Sequence, residues 1–318
     1  MSDHSKPARS ASAGASRGRA ASRFARLLVG YDGSDSATAA AAFALGLAGA
    51  AHAELTLLHA SPTPETAPSA DLLPAAAEQV VAYEARWQRR LESLRHHAGQ
   101  DVPVTCLLER GNPAGALIAT AIRMRADLLL TGSRGVGHLR GAVLGSVSTQ
   151  LLTHAPCSVM IFGEGDRLSP ADLVQSVVVG IDGSPSSAYA LQLGQALSEP
   201  LGARLVLAHA YDPLFWFKTS PTTGMRDELR RHGRTLLDAA RSALTVPPDR
   251  IDERLVEGNA RSELATVCDE LAPALLVVGS RGLGGFKAML VGSTSRSLAD
   301  SAPCPVLVAR VPESAGRD

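Results

Sequence analysis

One string occurs twice, and it constrains the fold more than any other feature. Leu27-Leu28-Val29-Gly30-Tyr31-Asp32-Gly33-Ser34 returns as Val177-Val178-Val179-Gly180-Ile181-Asp182-Gly183-Ser184. Leu57-Leu58-His59-Ala60 returns as Leu207-Ala208-His209-Ala210, and Glu109-Arg110-Gly111-Asn112 as Glu257-Gly258-Asn259 with one residue lost. Leu130-Thr131-Gly132-Ser133-Arg134-Gly135 matches Val278-Gly279-Ser280-Arg281-Gly282, and Ala155-Pro156-Cys157-Ser158-Val159 matches Ala302-Pro303-Cys304-Pro305-Val306. Order and spacing hold from end to end, so the chain is a duplicated domain. At 318 residues it is long enough for two units that each bury a core. The expected boundaries are a tail over 1–23, a first domain over 24–163, a join over 164–173, a second domain over 174–312 and a tail over 313–318.

Within each copy, short β-branched and leucine runs alternate with longer helical stretches, the pattern of βαβ units and a parallel sheet. The first copy reads as strands over 26–32, 54–60, 102–108, 127–131 and 157–162, with helices over 35–50, 75–98, 113–125 and 145–154. Asp127-Leu128-Leu129-Leu130 and Leu275-Leu276-Val277-Val278 are almost wholly apolar, as strands covered on both faces must be. The expected fold class is α/β: two tandem open-sheet domains, each a five-stranded parallel sheet flanked by helices.

Composition excludes several functions. The 31 basic and 31 acidic residues cancel, which gives no general field for nucleic acid or an anionic membrane. No apolar run is long enough to span a bilayer, and residues 1–23 lack the apolar centre of a secretory leader. Cys106, Cys157, Cys268 and Cys304 form no C-x-x-C pair and no zinc spacing, so they read as reduced core thiols of a cytoplasmic protein.

Ligands of open parallel sheets bind beyond the carboxyl ends of the strands, where the strand order reverses. Two features converge there. Asp32 and Asp182 end the first strand of each copy and precede Gly-Ser at a helix start; capping alone is the competing explanation. The stretch after the fourth strand reads Gly132-Ser133-Arg134-Gly135, nine residues, Gly145-Ser146, and again Gly279-Ser280-Arg281-Gly282, nine residues, Gly292-Ser293. Glycines let a backbone close on an anion, and Ser146 or Ser293 opens a helix whose N-terminus favours phosphate. The pattern is rare by chance, and here it stands twice in matching places. It describes a triphosphate cradle. Arg134 and Arg281, with Arg140 and Lys287 further along each loop, supply cations for phosphate oxygens. Ser148 and Ser295 are expected as further hydroxyl donors or as helix-surface residues. His59 and His209 read as satisfied strand-end histidines, and Phe215-Trp216-Phe217 as packing under a loop.

These motifs resemble the universal stress protein family, whose ATP-binding members carry Gly-x2-Gly-x9-Gly-Ser/Thr. The resemblance covers both halves and implies a Rossmann-like, adenine nucleotide α-hydrolase-like fold. It implies that Asp32 and Asp182 meet the adenine side, that Gly30 and Gly180 line the base pocket, and that Ala60 and Ala210 offer backbone groups to adenine. Thr131 and Val278 would then lie under the nucleotide. Gly132, Gly135, Gly145 and Ser146, with Gly279, Gly282, Gly292 and Ser293, would hold ribose and phosphates. It further implies an internal pseudo-dimer paired through the last strands, Cys157–Phe162 and Cys304–Arg310, with a further homodimer open.

The expected function is an ATP-binding stress-response or signalling module, with two ATP sites, Mg accompanying the nucleotide, and an unidentified protein partner. Phosphoryl transfer needs a positioned metal and a water-orienting group. The chain carries no Walker-type Gly-Lys-Ser/Thr, no H-E-x-x-H and no G-x-S-x-G elbow, so efficient catalysis is not expected. The alternatives are a slow ATPase, or an adapter for another adenine nucleotide such as AMP or a cyclic dinucleotide.

Overall fold

Leucine and valine runs become strands because the helices on either side leave them no polar face. The computed structural model of the chain describes residues 23–61, 73–99, 101–135, 144–163, 174–214, 222–282 and 291–312. In the first half β1 (Arg26–Gly30), α1 (Asp35–Ala51), β2 (Glu54–Ser61), α2 (Leu73–His96) and β3 (Val104–Arg110) come first. They are followed by α3 (Pro113–Met124), β4 (Leu128–Gly132), α4 (Ser146–His154) and β5 (Ser158–Phe162). The second half repeats the order with β6 (Ser176–Gly180), α5 (Pro185–Leu201), β7 (Arg204–Tyr211), α6 (Thr223–Ser242) and β8 (Ile251–Glu257). It ends with α7 (Ala260–Glu270), β9 (Ala274–Gly279), α8 (Ser293–Ser301) and β10 (Val306–Ala309).

Local chemistry sets the helix limits. Ser34 and Ser184 cap α1 and α5 by accepting from the Ala37 and Ser187 amides, and Asn112 and Asn259 do the same for α3 and α7. Pro113 and Pro185 stand at first-turn positions, where a missing N–H costs nothing.

The strand order is β3-β2-β1-β4-β5-β10-β9-β6-β7-β8, one sheet of ten strands. The two five-stranded parallel sheets expected from the sequence are therefore fused. At the centre β10 runs antiparallel to β5, with Val306 opposite Ile161, Leu307 opposite Met160 and Val308 opposite Val159. The other pairings are parallel. The carboxyl ends of the two halves consequently lie on opposite rims of the sheet.

Each face carries a core that runs through both halves. Leu27, Val29, Phe43, Met160 and Phe162 share one with Val177, Val179, Leu193 and Leu307. Leu28, Leu129, Val159 and Ile161 share the other with Val178, Leu276, Val306 and Val308. The Phe43 and Phe162 rings sit 5.5 Å apart, and α1 touches α5 across the junction. Arg310, just past β10, donates its amide to Ser158 Oγ at 3.1 Å. Its guanidinium donates to the Leu152 and Thr153 carbonyls at 2.7 and 2.9 Å, at the end of α4.

Shared cores make one half report on the other. In a Trp216→Phe background the remaining tryptophan, Trp87, lies in the first half. Leu307→Ala, which empties a fully buried site of the second half, is expected to cost about 2–5 kcal/mol. It should lower the urea midpoint of Trp87 fluorescence along with that of the far-ultraviolet dichroism.

Candidate functional site

After β1 the chain turns to β2 on one side, and after β4 it turns to β5 on the other, which leaves a crevice beyond Gly30 and Gly132. A single cavity there is lined by Gly30, Tyr31, Asp32, Leu58, His59 and Ala60 from the ends of β1 and β2. Pro113 and Leu117 of α3 form its wall, and Thr131, Gly132, Arg134, Gly135, Gly145, Ser146, Val147 and Ser148 complete it. Every first-half candidate residue but Arg140 is among them. The second-half candidates hold the equivalent positions. Gly180 ends β6, Asp182 precedes the Ser184 cap, Ala210 lies in β7, and Val278 and Gly279 end β9. Arg281 and Gly282 follow, Gly292 is the N-cap of α8, and Ser293 and Ser295 lie in its first turn. Arg140, Lys287 and Phe215 to Phe217 lie outside the described residues.

The loop ends are fixed by their own backbone. Ser133 N–H donates to the Phe162 carbonyl at 2.6 Å, and Gly145 N–H returns to the Ser133 carbonyl at 2.8 Å. In the second half Ser280 N–H donates to Ala309 O at 2.9 Å and Gly292 N–H to Ser280 O at 2.7 Å. Hydroxyls finish the clamp. Ser148 Oγ donates to the Gly132 and Ser133 carbonyls, both at 2.9 Å, and Ser295 Oγ to Gly279 O at 2.6 Å. Both serines are buried, so they are not helix-surface residues. Their hydroxyls hold the loop instead, because a buried carbonyl without a donor is costly.

The sequence reading missed a second set of hydroxyls. Ser36 Oγ donates to Arg134 O at 3.1 Å, with Ser34 Oγ 3.3 Å from the same carbonyl, and Ser184 Oγ donates to Arg281 O at 3.2 Å. The signal of Ser34 and Ser184 was present in the repeated Asp-Gly-Ser, which sequence logic explains fully as capping. Asp32 is part of the same knot: its Oδ1 accepts from Ser34 N–H at 3.0 Å and Ser34 Oγ at 2.6 Å. Asp182 Oδ1 likewise accepts from Ser184 N–H at 2.9 Å. The other oxygen faces the loop. A Cβ at Gly135 would stand 2.5 Å from Asp32 Oδ2, and one at Gly282 would stand 2.8 Å from Asp182 Oδ2. Glycine there is thus a matter of close approach, and it brings the loop onto the strand-end acid.

Helices α4 and α8 differ from those capped by Ser34, Asn112, Ser184, Thr222 and Asn259. Their N-caps are Gly145 and Gly292, and no side chain bonds their first amides. An uncapped helix start with free N–H groups and the positive end of the helix dipole suits an anion, and that of α4 stands at the cavity.

The histidines are structural. His59 Nδ1 bonds the Tyr31 carbonyl at 2.8 Å, Nε2 meets the Tyr83 hydroxyl at 3.0 Å, and the ring stacks on Trp87 at 3.6 Å. His209 Nδ1 bonds the Ile181 carbonyl at 2.6 Å, and its ring packs against Gly233. Burial pushes both below the ordinary histidine range. Among the described residues no three of His, Cys, Asp and Glu gather to hold a metal ion, and no helix is long and apolar enough to cross a membrane. The four cysteines are free, with Cys157 pushed up to about 12 by burial.

Comparison with known proteins points one way. The model of the universal stress protein family matches residues 23–163 and again 174–310. A universal stress protein of Mycobacterium tuberculosis (strain CDC 1551) is 34% identical over 211 residues, 61% of this chain and 62% of that protein, so less than two thirds of that relative is matched. One from Mycolicibacterium smegmatis is 31% identical over 300 residues, 89% of this chain and 96% of that protein. In structure, a universal stress protein from Archaeoglobus fulgidus superposes with a TM-score of 0.63 at 19% identity, over 90% of this chain and 98% of that one, a likeness of fold.

The histidines predict a pH dependence. Their folded pKa values lie below the unfolded 6.5, so the unfolded chain takes up protons first as pH falls. Stability is complete above pH 6.5 and declines below it, by up to about 1.4 kcal/mol per pH unit for each histidine, until the folded pKa is passed. Urea midpoints measured between pH 7.5 and 5 should show this slope, and a His59→Gln, His209→Gln double variant should flatten it.

Proposed function

The chain belongs to the universal stress protein family, and we propose that each half binds one adenine nucleotide, ATP foremost. The observation that carries the reading is the uncapped start of α4 at Gly145, which opens into the same cavity as Asp32, Ala60 and the Gly132–Gly135 turn. Phosphates fit the amides of that helix start and the Gly132–Gly135 backbone, with Arg134 as a cation beside them. The adenine side fits Gly30, Asp32 and Ala60, with Thr131 beneath. In the second half Gly279, Arg281, Gly282, Gly292 and Ser293 take the phosphate part, and Gly180, Asp182, Ala210 and Val278 the base and ribose. The glycines at 135 and 282, where a Cβ would strike a carboxylate, let the loop backbone close on the strand-end acid. Mg enters as the nucleotide's own counter-ion.

Binding, rather than turnover, is the proposed activity. The strand-end carboxylate is held by Ser34, and the nearby His59 is spent on Tyr31 and Tyr83. Both ring nitrogens of His59 are thus engaged, which leaves none to take a proton from water. Bound nucleotide acts by favouring one arrangement of the loops around the crevice, and a cytoplasmic protein partner reads that surface.

Counting tests this. The purified protein is extracted with acid and its nucleotide identified, alongside Ser146→Glu, Ser293→Glu and the double variant. Both serines are exposed first-turn residues, where a carboxylate suits the helix but repels phosphate. The expected result is about two ATP per chain, about one in each single variant and none in the double. AMP or a cyclic adenine dinucleotide in the extract would move the assignment to that ligand. An empty protein that also fails to bind added ATP would sink it.

A further inference from the structure

Two features of the first half have no counterpart in the second, and both bear on the same crevice. Thr131 lines the cavity, with Oγ1 3.5 Å from where a Cβ of Gly30 would stand. No partner of that hydroxyl occurs among the described residues. In the second half the residue is Val278, whose Cγ1 lies 3.2 Å from the corresponding point at Gly180. The two side chains share a shape and differ by one hydroxyl. In a wall shared with Leu58 and Leu117, such a hydroxyl gains most from a ligand that offers it a hydrogen bond.

The second feature is Arg310. Its guanidinium holds the last carbonyls of α4, Leu152 and Thr153, at 2.7 and 2.9 Å. The opposite end of α4 is the uncapped start at Gly145. At the place of Arg310 the first half has Gly163, with no side chain to reach across; at the end of α8 the Arg261 guanidinium of the same half instead donates to Ser301 Oγ at 3.0 Å. A cation supplied by the other half thus holds the last carbonyls of α4, whereas the cation at the end of α8 comes from its own half and bonds a side chain.

We propose that the two sites are unequal by construction: the first half's is the tighter, with the Thr131 hydroxyl bonding the nucleoside and Arg310 positioning α4 for the phosphates. This rests on the reading that both crevices take adenine nucleotides. Thr131 contacts the ligand directly, and Arg310 acts through the helix. The first site is therefore complete only when the second half is docked on it.

The test titrates ATP and adenosine into full-length chains by calorimetry, with Gly282→Trp leaving the first site and Gly135→Trp the second. The first site is expected to bind ATP roughly tenfold more tightly. Thr131→Val in the first-site chain should weaken ATP and adenosine alike, by roughly twofold to tenfold, and Val278→Thr should tighten both at the second site. Arg310→Met should weaken ATP at the first site by roughly twofold to fivefold, leave adenosine unchanged, and be partly rescued by Arg310→Lys. A general loosening of the fold would weaken both ligands equally and would overturn the role given to Arg310. Where tryptophan distorts a loop, the same constants come from the two-step ATP isotherm of the unsubstituted chain, with Ser146→Glu and Ser293→Glu identifying each step. Equal constants at the two sites overturn the inequality alone. Failure of the unsubstituted chain to bind either ligand overturns the nucleotide reading beneath it.

Discussion

The antiparallel contact between β5 and β10 governs the rest of the molecule. Three residue pairs, Val306 with Ile161, Leu307 with Met160 and Val308 with Val159, turn two sheets into one. Each half of a parallel α/β sheet would otherwise leave its last strand as an open edge of unpaired N–H and C=O groups. Pairing the two edges satisfies both. It also joins the apolar layers on either face, so Phe43 and Phe162 pack in the same core as Leu193 and Leu307. The hydrophobic gain from that continuity accrues to both halves.

From the same contact follows how the loops are held. Ser133 hangs from the Phe162 carbonyl at the end of β5, and Ser280 from the Ala309 carbonyl at the end of β10. Each phosphate-loop candidate is thus bonded to the strand that forms the junction. Arg310 adds a bond from the second half to the far end of α4. The site geometry is a property of the paired halves, since the strands at its base are the ones that meet.

Much of this was legible in the sequence. The repeat gave two units, the apolar runs gave the strands to within a few residues, and the Gly-x2-Gly-x9-Gly-Ser spacing marked residues that line one cavity. Illegible were features whose chemistry is identical in two roles. Ser148 and Ser295 carry the donor a phosphate would want, but their place one turn into a helix under the loop points that donor at Gly132 and Gly279 carbonyls. Ser34 reads as an N-cap and is one, yet the same hydroxyl also reaches Arg134 O, and sequence neighbours carry no trace of a partner 100 positions away. The contacts of Arg310 were equally hidden, because they depend on which strand of the other copy lies alongside.

The reversal of strand direction at the centre of the sheet has a consequence for anything that docks on this protein. The two crevices lie between β1 and β4 and between β9 and β6, four strand spacings apart, or roughly 20 Å at about 4.8 Å per strand. They open toward opposite rims, like mouths at the two ends of a tube. A body large enough to touch one mouth has the full length of the strands between it and the other. A single rigid surface therefore meets one crevice at a time, and whatever senses both must either come as two molecules or wrap around the edge of the sheet.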